Sequence, residues 1–148
     1  MSVALLDVNV LIALFWQFHP DHATAQQWFR EKAQKGWATC AMTQTGFVRL
    51  ASNSSFTHSV IHPVQAAALL EENLKHPLHR FWMDDIGIHE ALDPFRKRIS
   101  GHRQIPDAYL LALAMHNKGH LVTFDKAIAS LLPDEKSRTR HIITLPAH

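Results

Sequence analysis

A short apolar run that stops at an aspartate, followed at once by a longer apolar run, constrains this chain more than any other feature. Residues 4–6 read Ala-Leu-Leu, Asp7 and Asn9 interrupt, and Val10 to Leu14 continue apolar. The first run has the length of a buried strand, and the second, rich in Leu and Ala, reads as a helix over 8–16. Asp7 falls at the junction, where a carboxylate caps the helix and sits against its positive end. The pattern returns further on. Leu121-Val122-Thr123-Phe124 runs into Asp125, which reads as the cap of a helix through about residue 132, and Ile105-Pro106-Asp107 opens a strongly apolar helix over 108–117.

Between these points the same alternation holds. Residues 37–41 predict a second strand, and Thr43 reads as the N-cap of a helix carrying Gln44, Phe47, Val48, Leu50 and Ala51. Further helices are predicted over 22–35 and 64–75, and further strands over 80–83 and 141–145. Residues 84–104 read as polar and basic. Strands alternating with helices argue for an α/β domain with a parallel sheet covered on both faces. Right-handed crossovers put the carboxyl ends of the strands and the starts of the returning helices on one edge. Asp7, Thr43, Gln44, Asp107 and Asp125 then gather on the rim where open parallel sheets bind ligands.

Composition narrows the classes. The 148 residues suit one domain, 1–148, and the apolar fraction of 47% is that of an ordinary globular chain. The single cysteine, Cys40, allows no intrachain disulfide and fits a reducing compartment. Asp7 breaks the first apolar stretch and no basic segment precedes it, so neither a signal peptide nor a spanning helix is expected, and a cytoplasmic location with no membrane partner follows. Net charge is +2 with histidine neutral, which permits a polyanionic partner. Arg96, Lys97, Arg98 and Arg103 crowd together ahead of Asp107. Phe15, Trp16, Phe18, Trp28 and Phe29 exceed what two short helices need for a core, so any left exposed would mark a partner surface. The pairs His19 and His22, and His76 and His79, have a metal-binding spacing, but nothing near them completes a tetrahedral set.

Three carboxylates brought together repel one another, so either their pKa values rise or a cation sits among them. Hard oxygen donors without thiolates suit Mg²⁺ or Mn²⁺. Such an ion activates a water and screens charge on a phosphate. Acids beside a basic approach surface therefore point to metal-assisted phosphodiester hydrolysis.

Four stretches carry a family resemblance: Leu5-Leu6-Asp7-Val8-Asn9-Val10-Leu11-Ile12, the run from Thr43 to Asn53, Pro106-Asp107-Ala108-Tyr109-Leu110-Leu111, and Leu121-Val122-Thr123-Phe124-Asp125. In this order they resemble the PIN-domain ribonucleases, most closely the VapC toxins of bacterial toxin–antitoxin pairs. The resemblance implies a three-layer α/β/α PIN-like fold with a five-stranded parallel sheet of order 3-2-1-4-5. It also implies a Mg²⁺- or Mn²⁺-dependent endoribonuclease that leaves 5′-phosphate and 3′-hydroxyl ends, a cognate antitoxin and a homodimer. Asp7, Asp107 and Asp125 match the acidic catalytic and metal positions. Asn9, Thr43, Gln44, Arg49 and Thr123 become candidates for orienting metal or substrate, and Arg96, Lys97, Arg98 and Arg103 for binding RNA.

The family commonly carries Glu after the second strand, where this chain has Gln44. An amide offers a carbonyl oxygen but no charge, which keeps open a non-catalytic PIN-like module that docks RNA or protein. A phosphotransferase of the haloacid dehalogenase type also places Asp after strand one, but needs Asp-x-Asp where this chain has Asn9. Asp84 and Asp85 also follow a strand. In the implied order that strand lies two places from the first, about 9–10 Å away, so both read as surface turn residues.

Overall fold

The computed structural model describes residues 2–148. Five short strands, β1 (Ala4–Leu6), β2 (Trp37–Thr39), β3 (His79–Phe81), β4 (His120–Thr123) and β5 (Ile142–Thr144), build one sheet. Its order is β3-β2-β1-β4-β5, and all four pairings are parallel. The register sets Leu5 opposite Ala38 on one side and Leu121 on the other. Successive side chains of a strand point to opposite faces, and this divides the core in two. Ala4, Leu6, Trp37 and Val122 face α1 (Val8–Phe15), α2 (His22–Lys32), α3 (Ala41–Ala51) and α5 (Pro63–Leu74). Leu5, Ala38, Leu121 and Ile142 face α6 (Ile88–Leu92) and α7 (Ile105–His116). The result is the expected three-layer α/β/α arrangement. The single-turn α4 (Ser54–Thr57) links α3 to α5, and α8 (Glu135–His141) precedes β5.

β1 and β2 are buried throughout, as apolar runs covered on both faces must be. The edge strand β3 is not: Phe81 is half exposed. Of the aromatic surplus in the first two helices, Trp28 is buried, and Phe15, Trp16 and Phe29 pack on the first core. Phe18 remains 76% exposed. Among the described residues no helix is long and apolar enough to cross a membrane.

Four local expectations are corrected. Thr43 is not an N-cap. Its strand ends at Thr39, two residues early, so α3 starts at Ala41 with Cys40 as cap. Thr43 then sits in the first turn, its hydroxyl accepting the Cys40 N–H at 2.9 Å, which closes a box. The predicted helix over 22–35 ends at Lys32 and tightens into a 3-10 turn, Ala33–Lys35, before Gly36 at φ 107°. Residues 84–104, expected to be polar and basic, are not wholly so: α6 and a 3-10 turn, Asp93–Phe95, bury Ala91 and Phe95 in the second core. The segment after Asp125 is a 3-10 run, Lys126–Leu131, rather than an α-helix.

Candidate active site

Asp7 leaves β1 as the N-cap of α1, its carboxylate accepting the Val8 N–H at 2.7 Å. It is 7% exposed. Next to it in the sheet β4 ends at Thr123, which is fully buried. The single hydroxyl proton of Thr123 goes to Asp7 Oδ2 at 2.7 Å. Its oxygen then accepts from Asn9 Nδ2 at 3.2 Å and from the Asp125 N–H at 3.0 Å. Asn9 turns its Oδ1 to the Phe124 N–H at 3.1 Å. One hydroxyl thus joins Asp7, Asn9 and Asp125, and fixes Asp7 as an acceptor with one donor on each oxygen. Asp125 caps the next turn by accepting the Ala127 N–H at 2.9 Å.

Asp107 arrives from the other half of the chain, in the first turn of α7 behind Pro106. It is half-buried, and burial first, then the charges of Asp7 and Asp125, push its pKa up to about 6. Burial likewise raises Asp7; the bonds from Thr123 and Val8 oppose this, and Asp125 adds to it. The three acids are therefore close enough to repel one another, and none forms an ion pair among the described residues. This is the electrostatic state that three converging carboxylates must have without a cation.

Among the described residues no three His, Cys, Asp or Glu side chains close tightly enough to clasp an ion directly. Mg²⁺ needs less than that, since it usually takes one or two carboxylates and keeps several waters. The donor set fits such an ion: hard, anionic, without thiolate or imidazole, and with one oxygen lone pair left free on each side of Asp7.

The other candidates divide. Asn9 and Thr123 belong to the network. Gln44 is not brought into it, because its Nε2 donates to Thr39 Oγ1 at 3.0 Å. Helical spacing explains this. Gly46 is the α3 residue that meets α1, for a Cβ there would stand 2.5 Å from Val8 Cγ2, and Gln44, two residues back, points to nearly the opposite side at 3.6 residues per turn. It lines the groove between α3 and α5 instead. Arg49 is exposed and stands between that groove and a cleft on the α7 side. Arg96, Lys97 and Arg98 line a hollow with Ser130 and Pro133 from the segment after Asp125. Arg103 lies in a 3-10 turn, His102–Gln104, directly before α7.

Two residues on the rim escaped the sequence reading. Asp84, expected in a surface turn, lines the cleft beside Arg49 together with Tyr109. Asp84 follows a strand as Asp7 does, but the length of the connection after it hid which surface it faces. Tyr109 stands two residues after Asp107 on a largely apolar helix, where it reads as core.

Comparison with known proteins agrees with this architecture. The PIN domain family model matches residues 4–131. Ribonuclease VapC39 of Mycobacterium tuberculosis (strain ATCC 25618 / H37Rv) is 44% identical over 126 residues, covering 85% of this chain and 91% of that protein. Ribonuclease VapC44 of the same strain is 41% identical over 142 residues, covering 96% and 99%, and Ribonuclease VapC38 is 38% identical over 143 residues, covering 97% and 99%. With the sheet order, the acid-bearing strand ends and full-length relatives in agreement, this chain belongs to the PIN-domain family, among its VapC-type ribonucleases.

Proposed function

We propose that the protein is a metal-dependent endoribonuclease, the toxin of a toxin–antitoxin pair, with Asp7, Asp107 and Asp125 holding Mg²⁺ or Mn²⁺. The observation that carries the reading is the convergence of these three acids, drawn from three separate parts of the chain onto one sheet edge, where burial first and neighbouring carboxylates second raise Asp7 and Asp107. A bound dication there supplies an activated water and screens charge developing on a scissile phosphate. The chain's own groups do the rest. Thr123 and the Val8 N–H hold the Asp7 carboxylate in one orientation, and Asn9 ties α1 to the end of β4 so that Asp7 and Asp125 keep their spacing. Arg96, Lys97, Arg98 and Arg103 approach from the α7 side and offer the phosphate backbone a basic path. The names of the relatives support RNA as substrate and an antitoxin as partner. A homodimer and a cytoplasmic site of action complete the reading.

The test is cleavage of single-stranded RNA by the purified protein with Mg²⁺ or Mn²⁺, with chelator, and as Asp7→Ala. Cleavage that stops with chelator and with the variant, the variant keeping its circular dichroism spectrum, supports the proposal. RNA binding without cleavage under every metal condition would select the non-catalytic module, which the turning away of Gln44 favours.

A further inference from the structure

Beside the aspartates a cleft of about 620 Å³ opens between the start of α3 and the start of α7, within the roughly 300–1,000 Å³ common for small-ligand sites. Met42, Gly46, Arg49, Asp84, Pro106 and Tyr109 line it. Two of its lining residues lead to the acids: Gly46 packs on Val8, the residue after Asp7, and Pro106 precedes Asp107.

Three kinds of chemistry meet there. Tyr109 supplies an aromatic ring, fixed by its phenol donating to the Ile86 carbonyl oxygen at 2.9 Å. Met42 and Pro106 add apolar surface. Arg49 and Asp84 supply opposite charges, yet among the described residues neither side chain is ion-paired. Both are exposed. Asp84 and Tyr109 line the same cleft, so acid and ring share one space.

An unstacked nucleotide matches this set. Its base has a flat face for an aromatic side chain and a patterned edge for hydrogen bonds, and its phosphate suits Arg. An ionised carboxylate only accepts, through two oxygens side by side. Guanine alone sets two donors, N1–H and N2–H, adjacent on its Watson–Crick edge. Adenine and cytosine set a donor beside an acceptor nitrogen, and uracil sets one N–H between two carbonyls, so each would turn an acceptor toward the carboxylate.

We propose that this cleft is a nucleobase subsite that selects guanine beside the scissile phosphate, with Asp84 reading the base edge, Tyr109 stacking and Arg49 holding a phosphate. The proposal rests on the reading of the protein as a nuclease acting on RNA, and its test separates the two. GMP, AMP, CMP and UMP are titrated into the metal-free protein and followed by NMR, with wild type and Asp84→Asn compared. The Asp84 side chain makes no hydrogen bond or ion pair among the described residues, so the variant keeps the fold. GMP should bind about tenfold or more tightly than the other three, the range of a bidentate base contact, and Asp84→Asn should erase that preference while leaving AMP binding unchanged. Cleavage of a random single-stranded RNA pool should fall next to G and lose that bias in the variant. Equal affinities for the four nucleotides, no GMP binding at millimolar concentration, or a preference that survives Asp84→Asn would overturn the proposal. GMP selectivity in a protein that cuts no RNA would leave the subsite standing and remove the nuclease reading.

Discussion

Asp107→Asn should stabilise the metal-free protein at pH 8 and do little at pH 4. The Asp107 carboxyl is raised from 3.8 to about 6, even though it lies in the first turn of α7, where the helix dipole favours a negative charge. A folded-state pKa above the unfolded one means that the ionised form opposes folding. Well below pH 3.8 both states are protonated and the penalty is absent, and at pH 4 it is still small. It grows between pH 4 and 6 and is complete above about 6. At about 1.36 kcal/mol for each pH unit of differential protonation, the gap is worth about 3 kcal/mol. The side chain is only half-buried, and solvent screens much of this, leaving about 1 kcal/mol. For a chain of this size that is a rise in Tm of about 2–4 °C. Asn matches Asp in shape, and no hydrogen bond to the Asp107 carboxylate is lost among the described residues. Saturating Mg²⁺ should reverse the order, because an ion at 100 times its Kd adds about 2.7 kcal/mol to a protein that binds it and the variant forfeits most of that gain. The assay is thermal melting of both proteins across pH 4–8, in chelator and in Mg²⁺. An Asp107→Asn protein no more stable than wild type at pH 8 in chelator, or stabilised equally at pH 4, would refute the argument that burial and neighbouring charge oppose ionisation of Asp107.

Thr123→Val should cost about 1–3 kcal/mol in urea unfolding, because the Asp125 N–H and one Asp7 oxygen lose their buried partner. It should also lower cleavage by more than the change in stability accounts for. Gly46→Ala should lower stability by about 1–3 kcal/mol, since its Cβ would stand 2.5 Å from Val8 Cγ2; adding Val8→Ala should restore most of the loss in a double-mutant cycle. Replacing Arg96, Lys97, Arg98 and Arg103 by Gln should weaken RNA binding and flatten the plot of log affinity against log salt by about 0.7 for each phosphate contact removed. Nitrocellulose filter binding between 50 and 200 mM salt would read it, and an unchanged slope would return these residues to a merely solvated face.

The sequence by itself determined the layers and the rim. Apolar runs of strand length ending in Asp7 and Asp125, separated by helix-length segments, admit few arrangements besides a parallel sheet with its acids on the carboxyl edge, because crossover chirality leaves little choice. The tertiary structure decided the distribution of side chains around that edge. Thr43 and Gln44 are adjacent in sequence, yet the helix started three residues earlier than the cap signal suggested, and this rotation carries Gln44 to Thr39 and turns Gly46 toward Val8. The α8 segment, Glu135–His141, has no buried residue, so no apolar period announced it; an Asp134 cap and the end of the sheet make it a helix. Thr123 reads in sequence as one more β-branched strand residue. That one hydroxyl bridges Asp7, Asn9 and Asp125 follows from the pairing of β1 with β4, a contact between residues 116 apart in the chain. Local pattern reports what a segment is, whereas the partner of a buried polar atom is set by which distant segment the sheet places beside it.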